Sequence, residues 1–171
     1  MIAALPGRTP VVPASVFVAP TAVVVGDVVL GEDASVWYGC VVRGDVGPIR
    51  IGARTNIQDG CILHLTRGRG ALEIGDEVTG GHRAILHGAK IHDRCLIGMG
   101  AIVLDDCQIG EESLIAAGSV LLERTVVPPR SFVAGVPAVV RGPIPSAYLA
   151  RLKDSAEHYV LLAREHARLR A

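Results

Sequence analysis

Aromatic residues are scarce in this sequence, 4% of 171 positions, and lysine plus arginine balance aspartate plus glutamate at 17 each. The first deficit argues against a conventional core built on large rings. The second removes any global field that would draw nucleic acid or an anionic membrane. No apolar run approaches the roughly 18 residues of a membrane span, so no membrane partner is expected. The opening segment Met1 to Pro13 carries three prolines and lacks the charged-then-apolar order of a secretion signal, which makes a cytoplasmic location the default expectation. Cys40, Cys61, Cys95 and Cys107 form no C-x-x-C pair, so neither a zinc knuckle nor a thiol redox motif is indicated.

Apolar residues are plentiful, 50% of the chain, and Val, Ile, Gly and Ala dominate, which suits one domain of thin β layers. They recur with a period of six. Val18, Val24, Leu30, Val36 and Val42 are followed, after longer steps, by Ile51, Ile57 and Leu63, then by Ile74, Gly80 and Leu86. From Ile91 the series runs unbroken through Ile97, Val103, Ile109, Ile115, Leu121, Val127, Val133 and Val139, and only Gly80 departs from Val, Ile or Leu. With this aliphatic position called i, glycine follows at Gly31, Gly52, Gly75, Gly81, Gly98 and Gly110. All four cysteines fall at i+4 among small or β-branched residues, which reads as buried thiols in a narrow interior.

A six-residue unit gives one short strand and one turn, and strands stacked about 4.8 Å apart would exchange backbone hydrogen bonds coil to coil. Three units per coil make a single-stranded parallel β-helix of hexapeptide repeats over residues 1–142, an all-β fold. Pro143 and Pro145 break the pattern, and Ser146 reads as an N-cap. Leu149, Leu152, Ala156, Tyr159, Val160 and Ala163 then recur at helical spacing, so 143–171 is expected to hold a C-terminal α-helix on the outside of the coils.

Folding the repeat places the histidines. Val42, Leu63 and Leu86 share one face, so Arg43, His64 and His87 stack, and two imidazoles one strand spacing apart can reach a single metal. His82 lies on the preceding face of the same coil as His87, above Asp59, a different face from the other two, and could reach the pair of a neighbouring subunit packed beside it. Gln58 lies one coil below Gly81, whose missing side chain would leave room above the amide. His92, His158 and His166 have no such company and read as ordinary surface residues.

The segments Val42-Arg43-Gly44-Asp45 and Asn56-Ile57-Gln58-Asp59-Gly60, with His64, Gly81-His82, Leu86-His87-Gly88 and Ile97-Gly98-Met99-Gly100-Ala101, resemble the γ-class carbonic anhydrase-like proteins over about residues 15 to 165. The resemblance implies a left-handed coil and a homotrimer with zinc at subunit interfaces, His64 and His87 coming from one subunit and His82 from its neighbour. It also implies an Arg43–Asp45 ion pair across the interface, Gln58 and Asn56 orienting the reacting water, Tyr159 lining the site, and reversible hydration of CO2 to bicarbonate. Asp59, stacked below His82, would fix that ring's tautomer. Fe2+ or Co2+ are alternatives to zinc. The segment Leu65 to Glu73 is short and basic, with Glu73 its only carboxylate, and Val46 stands where family members carry a glutamate, so the acidic proton-shuttling loop is missing. An acyl-CoA thioesterase on the same metal site, with Arg67 and Arg69 receiving phosphates, and a weakly catalytic trimeric scaffold are the alternatives.

Overall fold

The structure, a computed structural model, describes residues 1–169, with the side chain of Lys153 left aside; the last two residues of the expected segment 143–171 lie outside the described ones. The chain is a parallel β-solenoid closed by the helix Ser146–His166. Its three faces follow from strand pairing. The long strands Val23–Leu30 and Val41–Ile51 bend around one edge, so their first halves belong to one face and their second halves to another. On the histidine face Val41–Val42 pairs onward to Ile62–His64, Ile85–His87, Ile102–Val103 and Val120–Leu121. On the charged face Ile49–Ile51 pairs onward to Leu72–Ile74, Lys90–Ile91, Gln108–Ile109 and Val126–Val127. The helix face is a separate sheet running from Phe17–Val18 to Ser131–Gly135.

The aliphatic row is the interior: Val42, Leu63, Leu86, Val103, Ile109, Ile115 and Leu121 are all fully buried. Gly80, the exception in that row, leaves the space that the end of the Ile57 side chain fills. Glycine at i+1 has a different cause. A Cβ on Gly31, Gly52, Gly98 or Gly110 would come within 2.4–2.5 Å of backbone or side-chain atoms of the next coil. Gly81 obeys the same rule, because its Cβ would meet Ile97 O at 2.8 Å and Met99 N at 2.9 Å. The expected vacancy above Gln58 is therefore not why glycine stands there; the coil above is.

The thiols at i+4 are buried and free. Each donates to a backbone carbonyl at the corner of the next coil, Cys40 to Gln58 at 3.0 Å and Cys107 to Leu122 at 3.0 Å, as the Thr55 hydroxyl does to Gly75 at 2.7 Å. Burial pushes the Cys95 thiol up to about 12, so it stays protonated and inert.

Two terminal expectations need correction. Val139 is half exposed and lies in a strand, Ala138–Pro143, that turns back antiparallel to Ser131–Gly135, so the interior row ends at Val133. Ser146 is the first helical residue; Pro145, extended at φ −61° and ψ 136°, occupies the cap position without a side-chain bond, and its carbonyl accepts from Tyr148 N. The helix lies on its own chain. Leu152, Ala156, Val160 and Ala163 are buried beneath it, and Tyr159 meets Trp37 edge-on at 5.2 Å. Full burial of each larger aliphatic contributes about 1.5–3 kcal/mol. His166, expected to be bland, accepts or donates at 2.9 Å with the Tyr38 hydroxyl and ties the end of the helix down. No described helix is long and apolar enough to cross a membrane.

Candidate metal centre

Parallel register sets His87 beside His64 on successive coils of the histidine face. Their rings stand 5.3 Å apart between centroids, and His64 Nδ1 lies 3.2 Å from His87 Nε2. The outer nitrogen of each ring faces a carboxylate: His64 Nε2 is 2.9 Å from Asp45 Oδ1, and His87 Nδ1 is 2.8 Å from Asp105 Oδ2. A ring that donates its proton outward presents a bare lone pair inward. Two lone pairs facing each other at 3.2 Å repel unless a cation or proton lies between them. Two ligand nitrogens on one tetrahedral zinc ion, each at about 2.0–2.1 Å, stand about 3.3 Å apart. The pair fits such an ion.

Both aspartates are held as carboxylates. Burial would raise Asp45, but hydrogen bonds from Arg43 and His64 and the Arg43 charge outweigh it and leave the group below its ordinary value. Asp105 is likewise raised by burial and lowered further by hydrogen bonds from His87 and Thr66, with the net shift downward. Arg43 reaches Asp45 at 2.5 Å within the one chain, where the resemblance implies an intersubunit pair.

His82 sits at the corner between the helix face and the histidine face, with Nδ1 2.8 Å from Asp59 Oδ2 and both side chains more than 40% exposed. The Asp59 partnership thus takes the form that stacking suggests. Among the described residues no three His, Cys, Asp or Glu side chains converge to hold a metal, so His82 does not complete the His64–His87 pair within one chain.

Asn56 and Gln58 are buried on the helix face, away from that pair but joined to His82. Gln58 Nε2 donates to Asn56 Oδ1 at 3.0 Å, Asn56 Nδ2 donates to Thr79 Oγ1 at 3.0 Å, and Gln58 Oε1 accepts the His82 backbone N–H at 3.2 Å. Tyr159 comes close enough for burial and the Asp59 charge to raise its hydroxyl above the ordinary value. A cavity of about 600 Å³ opens beside Gln58 and His82, walled by Met99, Leu114, Phe132 and Tyr148. Of the loop residues, Arg69 pairs with Glu123 at 2.8 Å, and Glu73 pairs with Lys90 on the charged face.

Asp105 is the site residue that sequence reasoning misses. It belongs to the coil above His87, two residues past Val103, and the repeat marks no position there as special.

The comparisons agree with this architecture. Residues 88–123 match the family model described as Bacterial transferase hexapeptide (six repeats). The Arabidopsis thaliana protein named Gamma carbonic anhydrase 2, mitochondrial, is 39% identical over 165 residues, covering 94% of this chain and 59% of that protein. The chain therefore spans about three-fifths of the length of that plant relative. A Methanocaldococcus jannaschii protein named Probable carbonic anhydrase is 40% identical over 149 residues, covering 87% of this chain and 93% of the other. A solved Bacillus cereus protein, provisionally named an acetyltransferase, superposes with a TM-score of 0.96 over 99% and 98% of the two chains at 36% identity. By its repeats, its fold and its kinship across nearly the whole length of the archaeal relative, the chain belongs to the γ-class carbonic anhydrase-like family of hexapeptide-repeat proteins.

Proposed function

We propose that the protein is a trimer that hydrates CO2 reversibly, with zinc held by His64 and His87 of one subunit and His82 of a neighbouring copy. The observation that carries this reading is the pair of inward ring nitrogens 3.2 Å apart, each ring with its outer nitrogen on a carboxylate, a bite suited to a cation. The trimer is supported by the exterior of the same face, where Val41, Ile62, Ile85, Ile102 and Val120 point outward beside the histidines. Such an apolar row on a surface calls for a covering partner. Ferrous iron or cobalt suits the same donors.

When bound, the ion supplies the Lewis acidity that makes hydroxide available near neutral pH. The chain's own groups do the rest. Asp45, Asp59 and Asp105 hold the three imidazoles in one tautomer each. Gln58, braced by Asn56 and the His82 backbone, keeps a second amide N–H for aligning the reacting oxygen. Addition of that oxygen to CO2 gives bicarbonate, and the proton lost by water must leave. With Glu73 committed to Lys90, buffer in solution takes the proton, so the rate rises with buffer concentration.

Metal content per subunit, measured beside stopped-flow CO2 hydration, tests this. One zinc per subunit with buffer-dependent turnover is expected, and His64→Ala should lose the metal. Unchanged metal in that variant overturns the ligand set, and a zinc-loaded trimer without turnover leaves a scaffold.

A second reading, hydrolysis of an acyl thioester, is favoured by the cavity beside His82, since about 600 Å³ of largely apolar space far exceeds what CO2 needs. A thioester panel of increasing acyl length separates the two. Turnover of acetyl-CoA without metal would instead favour acetyl transfer, the activity in the Bacillus cereus protein's name.

A further inference from the structure

We propose that Asp105 is a positioning residue that fixes His87 as its Nδ1–H tautomer, so that Nε2 is offered to the cation; this rests on the metal reading above. The arrangement draws on three successive coils. Asp105 is buried, with its side chain 6% exposed. Its Oδ2 accepts from His87 Nδ1 at 2.8 Å and from Thr66 Oγ1 at 3.0 Å, while its Oδ1 accepts the Thr66 backbone N–H at 3.3 Å. Three donors converge on one carboxylate, and no oxygen is left to swing away.

Gly88 makes room for it. A Cβ there would lie 2.0 Å from Asp105 Oδ1, and the residue's φ of +54° already disfavours a side chain. Glycine directly after the ligand histidine is thus explained by the carboxylate one coil above. The loop after His64 acquires a role as well. Its contribution to the site is Thr66, through hydroxyl and amide, while Arg69 is engaged at Glu123.

The tautomer assignment has a chemical consequence. With Nδ1 donating to Asp105, Nε2 is unprotonated and faces His64 Nδ1, which is itself unprotonated because His64 Nε2 donates to Asp45. Two aspartates on opposite sides therefore set complementary tautomers, and together they create the bite. Losing either one lets a ring proton turn inward and occupy the metal's place.

Asp105→Asn tests this with almost no change of shape. The Thr66 N–H requires an oxygen opposite it, so the new amide keeps its oxygen there and turns its NH2 toward His87 Nδ1. That nitrogen must now accept, which sends the ring proton to Nε2. Two measurements on the full-length protein follow. Long-range 1H–15N spectra of metal-free protein should show His87 protonated at Nδ1 in the wild type and at Nε2 in the variant. Zinc affinity, by competition with a chromophoric chelator, should fall about 10–100-fold, a typical loss when such a partner is removed. Assembly mass should be unchanged. Equal zinc affinity in the two proteins, or no change of tautomer, overturns the role of Asp105. A wild type that binds no zinc yet shows the Nδ1-protonated ring overturns the metal reading and leaves the tautomer assignment standing. If the Asn variant fails to fold, Thr66→Val, which removes one donor, should lower zinc affinity several-fold, and no change there overturns the proposal equally.

Discussion

The histidine face and the charged face share the bent strand Val41–Ile51 and the same kind of interior, Val42, Leu63, Leu86 and Val103 on one, Ile51, Ile74, Ile91 and Ile109 on the other. Outside they are opposites. One position before each interior residue, the histidine face carries Val41, Ile62, Ile85, Ile102 and Val120, whereas the charged face carries Arg50, Glu73, Lys90 and Gln108 before its row ends in the exposed Val126. The charged face settles its own account in water, with Arg50 on Asp27 at 2.7 Å and Lys90 on Glu73 at 3.1 Å. The histidine face has no such pairs along its apolar row, and its outward aliphatics adjoin the candidate metal ligands. Inward residues specify the coil; outward ones, alternating with them by the strand's period of two, assign each face its surroundings.

The sharpest way to break that contrast is to place the same charge on both exteriors within one coil. Ile102→Asp should abolish assembly, because an unpaired carboxylate buried at an interface costs about 3–5 kcal/mol, a factor of about 150 to several thousand in the association constant. Gln108→Asp should leave the sedimenting mass as it is in the wild type. Two variants of unchanged mass would show that the outward row of the histidine face is not the contact.

The claim of equal interiors can be tested in the same manner. Leu86 and Ile109 are both fully buried, one beneath each face. Truncating either to alanine removes buried methyl groups and leaves a void, at about 2–5 kcal/mol. Urea unfolding at fixed protein concentration should find the two costs similar. A large loss for one and almost none for the other would mean that the faces are packed differently after all.

How much of this was readable beforehand depends on which rule each residue obeys. The interior row and the stacking of His64 on His87 follow from a period, and a period is visible in sequence. Asp105 obeys no period: its role depends on a coil it does not belong to, and the one available signal was Gly88, a glycine set directly after a candidate ligand histidine. The corner conformations were missed for a subtler reason. Non-glycine residues at i+3, among them Asp33, Arg54, Glu77, Arg83, Arg94 and Glu112, adopt φ between 54° and 64°, a region that costs a non-glycine residue about 1 kcal/mol or more. Gly39, Gly60, Gly100 and Gly118 occupy the same position, and that alternation of glycine with charged residues was the legible clue. The first coil lies within the expected 1–142, but its repeat was not legible. Ile2–Ala3 lies beside Val24–Val25 and Val11 bridges Val29, but three prolines in the segment disguise the repeat.

The corner between the charged face and the helix face offers the smallest effect and a sign that can be worked out. Asp33, Arg54, Glu77, Arg94, Glu112 and Arg130 follow one another up that corner with alternating charge. Glu112 lies between Arg130 at 2.6 Å and Arg94 at 3.2 Å. The Arg130 hydrogen bond, aided against burial by Arg94 and both positive charges, holds its carboxyl below the usual 4.5. A depressed carboxylate stabilises the fold above its unfolded value and loses that contribution as pH falls through the lower, folded one. The wild type should therefore be more stable than Glu112→Gln at pH 7 by about 0.2–1 kcal/mol, the range for exposed pairs. The gap should narrow below pH 4.5 and close once the folded carboxyl is protonated, as melting temperatures across that range will show. Zinc content and assembly mass should not respond, because this corner belongs to the part of the exterior that pairs with itself. A gap that widened in acid would mean that the carboxylate is repelled in the fold, and that the alternating corner is not the self-satisfied surface described above.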